Sequence, residues 1–109
     1  MKKDFSNTVK KLKNVQMNHV DNTFLFESYL KTKNFNKLYD KMLWGEGPTW
    51  WKEKNCLIWS DVPNNRQLIL QDGNIKEFLN PSNFVNGNTI DNNGNLLSCS
   101  HGGRCIYKF

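Results

Sequence analysis

From Trp44 to Phe109, short apolar runs alternate with clusters of Asn, Gly, Pro and Asp. Runs of this length, bounded by turn-forming residues, predict short β-strands. The predicted strands cover residues 49–51, 56–60, 67–70, 75–79, 88–91, 95–100 and 104–109. The run 56–60 is nearly all apolar, which predicts a strand buried on both faces. An all-β fold is therefore expected for this part of the chain.

An internal repeat with a period of 40 residues strengthens this expectation. Residues 46–60 lie on residues 86–100 without a gap, and five of the fifteen positions are identical. The identical pairs are Gly47 and Gly87, Thr49 and Thr89, Asn55 and Asn95, Leu57 and Leu97, and Ser60 and Ser100. A period near 40 with four short antiparallel strands is typical of propeller blades. Blade one is predicted over about 46–79, and blade two begins over 86–109.

The repeat accounts for about one and a half to two blades, whereas a propeller needs at least about four to close its ring. We therefore expect residues 36–109 to be an incomplete β-propeller and the chain to be an N-terminal fragment. Residues 1–35 are predicted to form a polar, basic leader that is partly disordered or contributes an outer strand. Phe5, Val9 and Leu12 lie at helical spacing, and residues 24–26 and 35–42 give weak strand signals.

The net charge of +5 is confined to residues 1–41. Residues 1–41 hold nine Lys and no Arg against four acidic residues, whereas residues 42–109 hold six basic and six acidic residues. A nucleic-acid surface would place Lys and Arg on a folded face. The pattern predicts a solvated tail and no nucleic-acid partner.

Neither a secretory leader nor a membrane-spanning segment is evident in the sequence, so a cytoplasmic protein with no membrane partner is expected. Its three cysteines, Cys56, Cys99 and Cys105, fit no disulfide framework and are expected to be reduced, half-buried strand residues. Cys99, His101 and Cys105 lack the paired spacing of a zinc site.

Four motifs carry a family resemblance. In chain order they are Trp44-Gly-Glu-Gly-Pro-Thr-Trp50, Leu57-Ile-Trp-Ser-Asp-Val-Pro-Asn-Asn-Arg66, Pro81-Ser-Asn-Phe84 followed by Asn86-Gly-Asn-Thr89, and Leu97-Ser-Cys-Ser-His-Gly-Gly-Arg104. Their order and spacing resemble those of the family of gluconolactonase, regucalcin (senescence marker protein) and luciferin-regenerating enzyme. The motifs cover residues 44–104, and residues 1–35 carry none.

The resemblance implies a six-bladed propeller that hydrolyses sugar lactones with one divalent cation in its central channel. Calcium is the expected cation, with zinc, magnesium and manganese as alternatives. The family pattern makes Glu46 a metal ligand and places the general base in a later blade, so no catalytic residue is expected within this fragment. The fragment alone is therefore expected to be inactive. The expected partner is a small sugar lactone, and the oligomeric state stays open.

The repeat places Glu46 and Asn86 at the start of the first strand of successive blades, and Asp61 and His101 after the second strand. All four are expected near one mouth of the channel. Asn86, Asn88, His101 and Asp61 are the candidate substrate-binding residues. Each has a structural alternative: the two Asn residues and His101 also suit turns, and Asp61 also suits fixing the turn that follows it.

Two alternatives to a lactonase remain open at this point. One is a propeller that binds a ligand without turnover, and the other is a truncated product without activity. Metal-ligand Asn and Asp residues at the starts of later blades would favour the enzyme over the binding module. Glu46 itself also suits a strand-entry carboxylate that pairs with a basic neighbour.

Overall fold

The computed structural model describes residues 36–109. The chain divides into two compact units, Met1–Lys41 and Met42–Phe109. The described part of the first unit, 36–41, forms no strand, so the strand predicted over 35–42 is wrong there. Lys37 and Asp40 form an exposed ion pair within it at 2.7 Å. The other expectations for the leader concern 1–35, which lies outside the described residues.

The second unit consists of seven antiparallel strands in two sheets. In chain order the strands are β1 Gly45–Trp51, β2 Cys56–Asp61, β3 Arg66–Gln71, β4 Asn74–Leu79, β5 Val85–Ile90, β6 Leu96–Ser100 and β7 Cys105–Lys108. The first sheet has the order β1-β2-β3-β4, and the second has the order β5-β6-β7. One four-stranded blade followed by three strands of the next confirms the predicted partial propeller.

Turn chemistry explains where these strands end. Short 3-10 turns, Lys52–Lys54 and Val62–Asn64, connect β1 to β2 and β2 to β3. Each is closed by an asparagine in the left-handed region, Asn55 with φ 50° and Asn65 with φ 54°. Asparagine tolerates this backbone conformation better than most residues, which suits it to closing both turns.

Buried side chains from both sheets form the core between the blades. Trp51, Cys56, Ile58 and Leu96 are its buried members, and Ile69, Phe78 and Ile90 pack against them. Within β2 every residue except Leu57 is buried, which confirms the strand predicted to be covered on both faces. Burial raises the pKa of the Cys56 thiol. Cys99 and Cys105 are exposed, so the expectation that all three cysteines are half-buried is wrong.

The two blades do not superimpose residue for residue, contrary to the gapless repeat. Four residues separate the paired residues Trp51 and Cys56, whereas five separate Ile90 and Leu96. The additional residue in the second blade shifts the pairing of β5 with β6 by one position relative to the pairing of β1 with β2. Glu46 lies opposite Ser60, and Val85, not Asn86, lies opposite Ser100. The expectation that Glu46 and Asn86 are strictly equivalent is therefore wrong by one residue.

The longer turn of the second blade is organised by Asp91. Its carboxylate accepts hydrogen bonds from the backbone amides of Asn93 and Asn95 and from the Asn95 side chain, all at 2.9–3.0 Å. The ammonium of Lys108 lies 2.9 Å from the same group. These contacts, led by those of the Asn95 side chain, hold the pKa of Asp91 well below its ordinary value.

This lowered pKa predicts a pH dependence of stability. A carboxyl group whose pKa falls on folding stabilises the fold above its unfolded value, and that contribution disappears as pH falls toward the folded pKa. We expect the free energy of unfolding to decrease below about pH 4, and Asp91→Asn to show less of this decrease. Urea titrations of both proteins at pH 7 and pH 3 test this. The difference in free energy of unfolding between the wild type and Asp91→Asn should be smaller at pH 3 than at pH 7. An equal difference at both pH values would contradict the lowered pKa of Asp91.

Candidate functional site

The start of β1 and the end of β2 lie together at one end of the first blade. Gly45 pairs with Asp61, and Glu46 pairs with Ser60. In the second blade Val85 pairs with Ser100, so Asn86 and His101 also follow residues that meet at one end of their sheet. Antiparallel pairing therefore brings the two candidate residues of each blade to the same sheet end. The structure does not, however, give the four side chains similar surroundings.

Glu46 lies in β1 immediately before a bulge and is half-buried. Within residues 36–109, no hydrogen bond or ion pair engages its carboxylate. The strand-bracing alternative requires a basic partner, and the described residues supply none. A partly buried carboxylate without a protein partner suits an oxygen ligand for a hard cation. The described residues contain no group of three or more His, Cys, Asp or Glu side chains that would hold a metal, so they do not complete a metal site around Glu46.

Asp61 has a different environment, since its side chain is completely buried. One oxygen accepts hydrogen bonds from the backbone amides of Leu43 and Trp44 at 3.0 and 3.3 Å. The other accepts from Asn64 at 2.7 Å and forms an ion pair with Arg66 at 3.0 Å. One oxygen therefore binds the segment before β1, and the other binds the turn after β2 and the start of β3. This geometry supports the role of fixing the turn and the segment before Glu46.

Arg66 extends this ion pair toward the surface. Its guanidinium also lies 3.1 Å from the carboxylate of Glu77 on β4. Hydrogen bonds from Asn80 and from Arg66 hold the pKa of Glu77 below its ordinary value. Arg104, which the repeat matches with Arg66, lies instead in the exposed turn before β7 with φ 51°. The two arginines thus share a place in the sequence repeat but not an environment.

Asn88 joins the two blades. Its amide nitrogen donates hydrogen bonds to the carbonyl of Gly47 and to the hydroxyl of Ser60, both at 3.0 Å. Its amide oxygen accepts from Gln67 and from Ser98, both at 2.8 Å. These contacts use both hydrogens and both lone pairs of the side-chain amide. Asn88 is therefore fully engaged between the blades, as neither the turn nor the pocket-edge interpretation expected.

The two remaining candidates lie closer to solvent. Asn86 is half-buried, and its side-chain oxygen accepts a hydrogen bond from the next backbone amide, that of Gly87, at 2.6 Å. His101 is exposed in the turn after β6, and its backbone amide donates to the carbonyl of Phe84 at 3.2 Å. Neither side chain is tied into the contact between the blades.

Ser60, Gln67 and Ser98 were not among the residues that the sequence predicted for this site. We define the polar seam as Ser60, Gln67, Asn88 and Ser98, which hydrogen-bond to one another between the blades. Ser60, Gln67 and Ser98 are completely buried. Their signal in the sequence was a polar residue within an otherwise apolar strand. Asn65 forms a second link between the blades, since its side-chain oxygen accepts from the backbone amide of Phe84 at 2.8 Å.

Comparison with solved structures supports a common fold. The gluconolactonase of Xanthomonas campestris, described as important in glucose secondary metabolic pathways, is 40% identical with a TM-score of 0.62. The match covers 65% of this chain and 24% of that protein. A second protein, assigned to the gluconolactonases by structural genomics, is 33% identical with a TM-score of 0.66. That match covers 68% of this chain and 26% of the other.

The chain thus spans about a quarter of the length of both solved proteins. No curated protein matches its sequence. Within the described residues, no helix has the length and apolar character that crossing a membrane requires.

Residues 44–109 match the sequence model of the SMP-30/gluconolactonase/LRE-like region, which is more than half of the chain. The chain therefore belongs to the SMP-30/gluconolactonase/LRE-like family.

Proposed function

We propose that this chain is part of a metal-dependent sugar-lactone hydrolase in which Glu46 is one ligand of a divalent cation, with calcium as the expected ion. Family membership and the two gluconolactonase-like structures support the reaction class. The observation that carries the residue assignment is the Glu46 carboxylate, half-buried at the start of β1 and without a partner among residues 36–109. Asp61, the neighbouring carboxylate, is buried and already bound by the blade.

The residues of the first blade hold Glu46 in place. Asp61 fixes the backbone at Leu43 and Trp44, just before the ligand. The cross-strand pair with Ser60 fixes Glu46 itself. When bound, the cation polarises the lactone carbonyl and stabilises the negative charge that develops on its oxygen. The contribution of this chain is a carboxylate on a rigid strand, which such a site requires for accurate geometry.

Asn86 and His101 are proposed to contact the sugar lactone at the edge of the site. Their side chains are not bound within the polar seam, and both follow paired residues at one end of the second sheet. Asn88 and Asp61 are assigned no substrate contact, because hydrogen bonds within the blades occupy their polar atoms. Alanine substitution of His101 or Asn86 should therefore raise KM for a lactone without lowering thermal stability.

The test of the metal assignment is Glu46→Gln in the complete protein that carries this sequence. Glutamine keeps the size and one oxygen of the side chain but removes the charge that calcium prefers. We expect calcium affinity to fall at least about 10-fold, the loss that altering a residue supporting a ligand already produces. Hydrolysis of gluconolactone should fall with it at limiting calcium, and excess calcium should restore part of the activity. Calorimetric titration of calcium measures the affinity.

Glu53→Gln is the matched control. Glu53 is an exposed carboxylate in the turn Lys52–Lys54 of the same blade, so this substitution makes the same change of charge away from the site. It should leave calcium affinity and hydrolysis unchanged. Equal calcium affinities for the wild type and Glu46→Gln would exclude Glu46 as a ligand. Equal losses in the two variants would mean that only the net charge of the blade matters.

A further inference from the structure

We propose that Asn88, on the second blade, is a positioning residue for Glu46 on the first. This inference rests on the proposed function, since it concerns the ligand role of Glu46. Its basis is a set of hydrogen bonds from the Asn88 side chain to two neighbours of Glu46, the next residue Gly47 and the cross-strand partner Ser60. Such a link makes the geometry of the cation ligand depend on the contact between two blades, and not on its own strand alone.

The amide nitrogen of Asn88 reaches the two neighbours that define the place of Glu46. One bond, at 3.0 Å, goes to the carbonyl of Gly47, the next residue along β1. The other, also at 3.0 Å, goes to the hydroxyl of Ser60, the cross-strand partner of Glu46. A third link runs in the opposite direction, as the Thr49 hydroxyl donates to the backbone carbonyl of Asn88 at 2.8 Å. The backbone that follows Glu46 and the cross-strand partner of Glu46 are therefore both hydrogen-bonded to β5.

The orientation of the Asn88 amide is itself fixed. Its oxygen accepts from the Gln67 amide nitrogen and the Ser98 hydroxyl, both at 2.8 Å. Turning the amide over would place its NH₂ group against these donors and remove both donors from Gly47 and Ser60. Gln67 and Ser98 are completely buried, so water does not readily replace these bonds. The polar seam therefore specifies which end of Asn88 faces Glu46.

The backbone after Glu46 is shaped to allow this approach. Gly47 has φ +59°, and a Cβ atom there would lie 2.5 Å from the carbonyl oxygen of Asn86 and 2.8 Å from the Asn88 side-chain nitrogen. Only glycine lets the two strands come this close. Ligand sites require positions accurate to about 0.5 Å, which residues with locked side chains around the ligand provide. Asn88 meets this description for Glu46.

The experiment is a double-mutant cycle in the complete protein, read by calorimetric titration with calcium alone. Asn88→Ala should weaken calcium binding about 10-fold, the effect expected from losing a residue that orients a ligand. In the Glu46→Gln background, the same substitution should cause less than about a twofold change, because the residue through which Asn88 acts has lost its ligand charge. A residue that merely stabilised the fold would cause the same change in both backgrounds.

Ser98→Ala is the matched control. It removes two bonds of the polar seam, from the Ser98 hydroxyl to Asn88 at 2.8 Å and from Gln67 to that hydroxyl at 3.1 Å. It leaves the bond from Gln67 that orients the Asn88 amide, and both bonds from Asn88 to Gly47 and Ser60. Its calcium affinity should stay within about twofold of the wild type. If Asn88→Ala does not fold, Thr49→Val takes its place, because it keeps the side-chain shape and removes the bond to the Asn88 carbonyl. A smaller loss, about threefold, is then expected, again only when Glu46 is intact.

The outcomes separate the two proposals. If Glu46→Gln binds calcium as the wild type does, the metal assignment fails and the positioning role fails with it. If Glu46→Gln loses affinity while Asn88→Ala and Thr49→Val do not, the positioning role alone is overturned. Equal losses for Asn88→Ala and Ser98→Ala would also overturn it, because the effect would then follow the blade contact in general.

Discussion

Asp61→Asn is expected to destabilise the fold by about 3 kcal/mol, the lower end of the range for breaking a buried ion pair. The carboxylate is completely buried and accepts from two backbone amides on one oxygen and from Asn64 and Arg66 on the other. Asparagine has a single acceptor oxygen, so one of these two sets of donors must face an NH₂ group. Arg66, whose side chain is only 19% exposed, also loses its buried counter-charge.

Asp72→Asn is the matched control, because it makes the same chemical change at an exposed turn. Asp72 has φ 50°, a conformation that asparagine accepts, so the control adds no backbone strain. It should change the free energy of unfolding by less than about 0.5 kcal/mol. Urea titrations followed by circular dichroism measure both variants. Similar stabilities for Asp61→Asn and Asp72→Asn would show that the bonds of Asp61 do not hold the first blade together.

Gly47→Ala is expected to cost about 2–4 kcal/mol, from backbone strain and a steric clash together. The residue has φ +59°, which is unfavourable for any residue with a Cβ atom. The added carbon would also lie 2.5 Å from the backbone carbonyl oxygen of Asn86 and 2.9 Å from the backbone nitrogen of Asn88. Both are backbone atoms of the neighbouring blade and cannot rotate away. The blades must separate locally to admit the methyl group.

The repeat provides the control for this prediction. Gly87 matches Gly47 in the sequence, and the repeat alone would predict the same backbone restriction at both positions. The structure contradicts this for Gly87, which has no positive φ and would bring a Cβ atom within 4 Å of nothing. Gly87→Ala should therefore be neutral, or stabilising by up to about 1 kcal/mol through the unfolded chain. Thermal unfolding of the two variants gives the comparison, and equal losses would contradict the structural distinction.

The sequence predicted the seven strands because apolar runs and turn residues are local signals. It missed the beginning of β1, where Gly45-Glu46-Gly47-Pro48 has no alternation, since a bulge between Glu46 and Thr49 breaks the strand period there. The one-residue shift between blades escaped notice for a different reason. The identity of Asn55 with Asn95 favoured a gapless alignment, whereas the left-handed residue of the second turn is Gly94.

Local sequence patterns predicted the candidate site less completely than they predicted the strands. Family motifs selected Glu46, and its surroundings suit that choice. The repeat grouped Asp61 with it, although the two carboxylates differ in burial and in hydrogen bonding. Burial of this kind depends on which strands pack against each other. The contacts of Asn88 with Gln67 and Gly47 join residues 21 and 41 positions apart, beyond the reach of local patterns.

The polar seam has a consequence for how blades can be exchanged between propellers. A purely apolar contact between repeated blades would be less selective for its partner, because the hydrophobic effect is not directional. Ser60 and Gln67 instead meet Asn88 and Ser98 at fixed points, and a blade without its counterpart leaves buried polar atoms without bonds. The order of these two blades is thereby specified by their side chains. A chimeric propeller that receives the first blade of this chain must receive Asn88 and Ser98 with it.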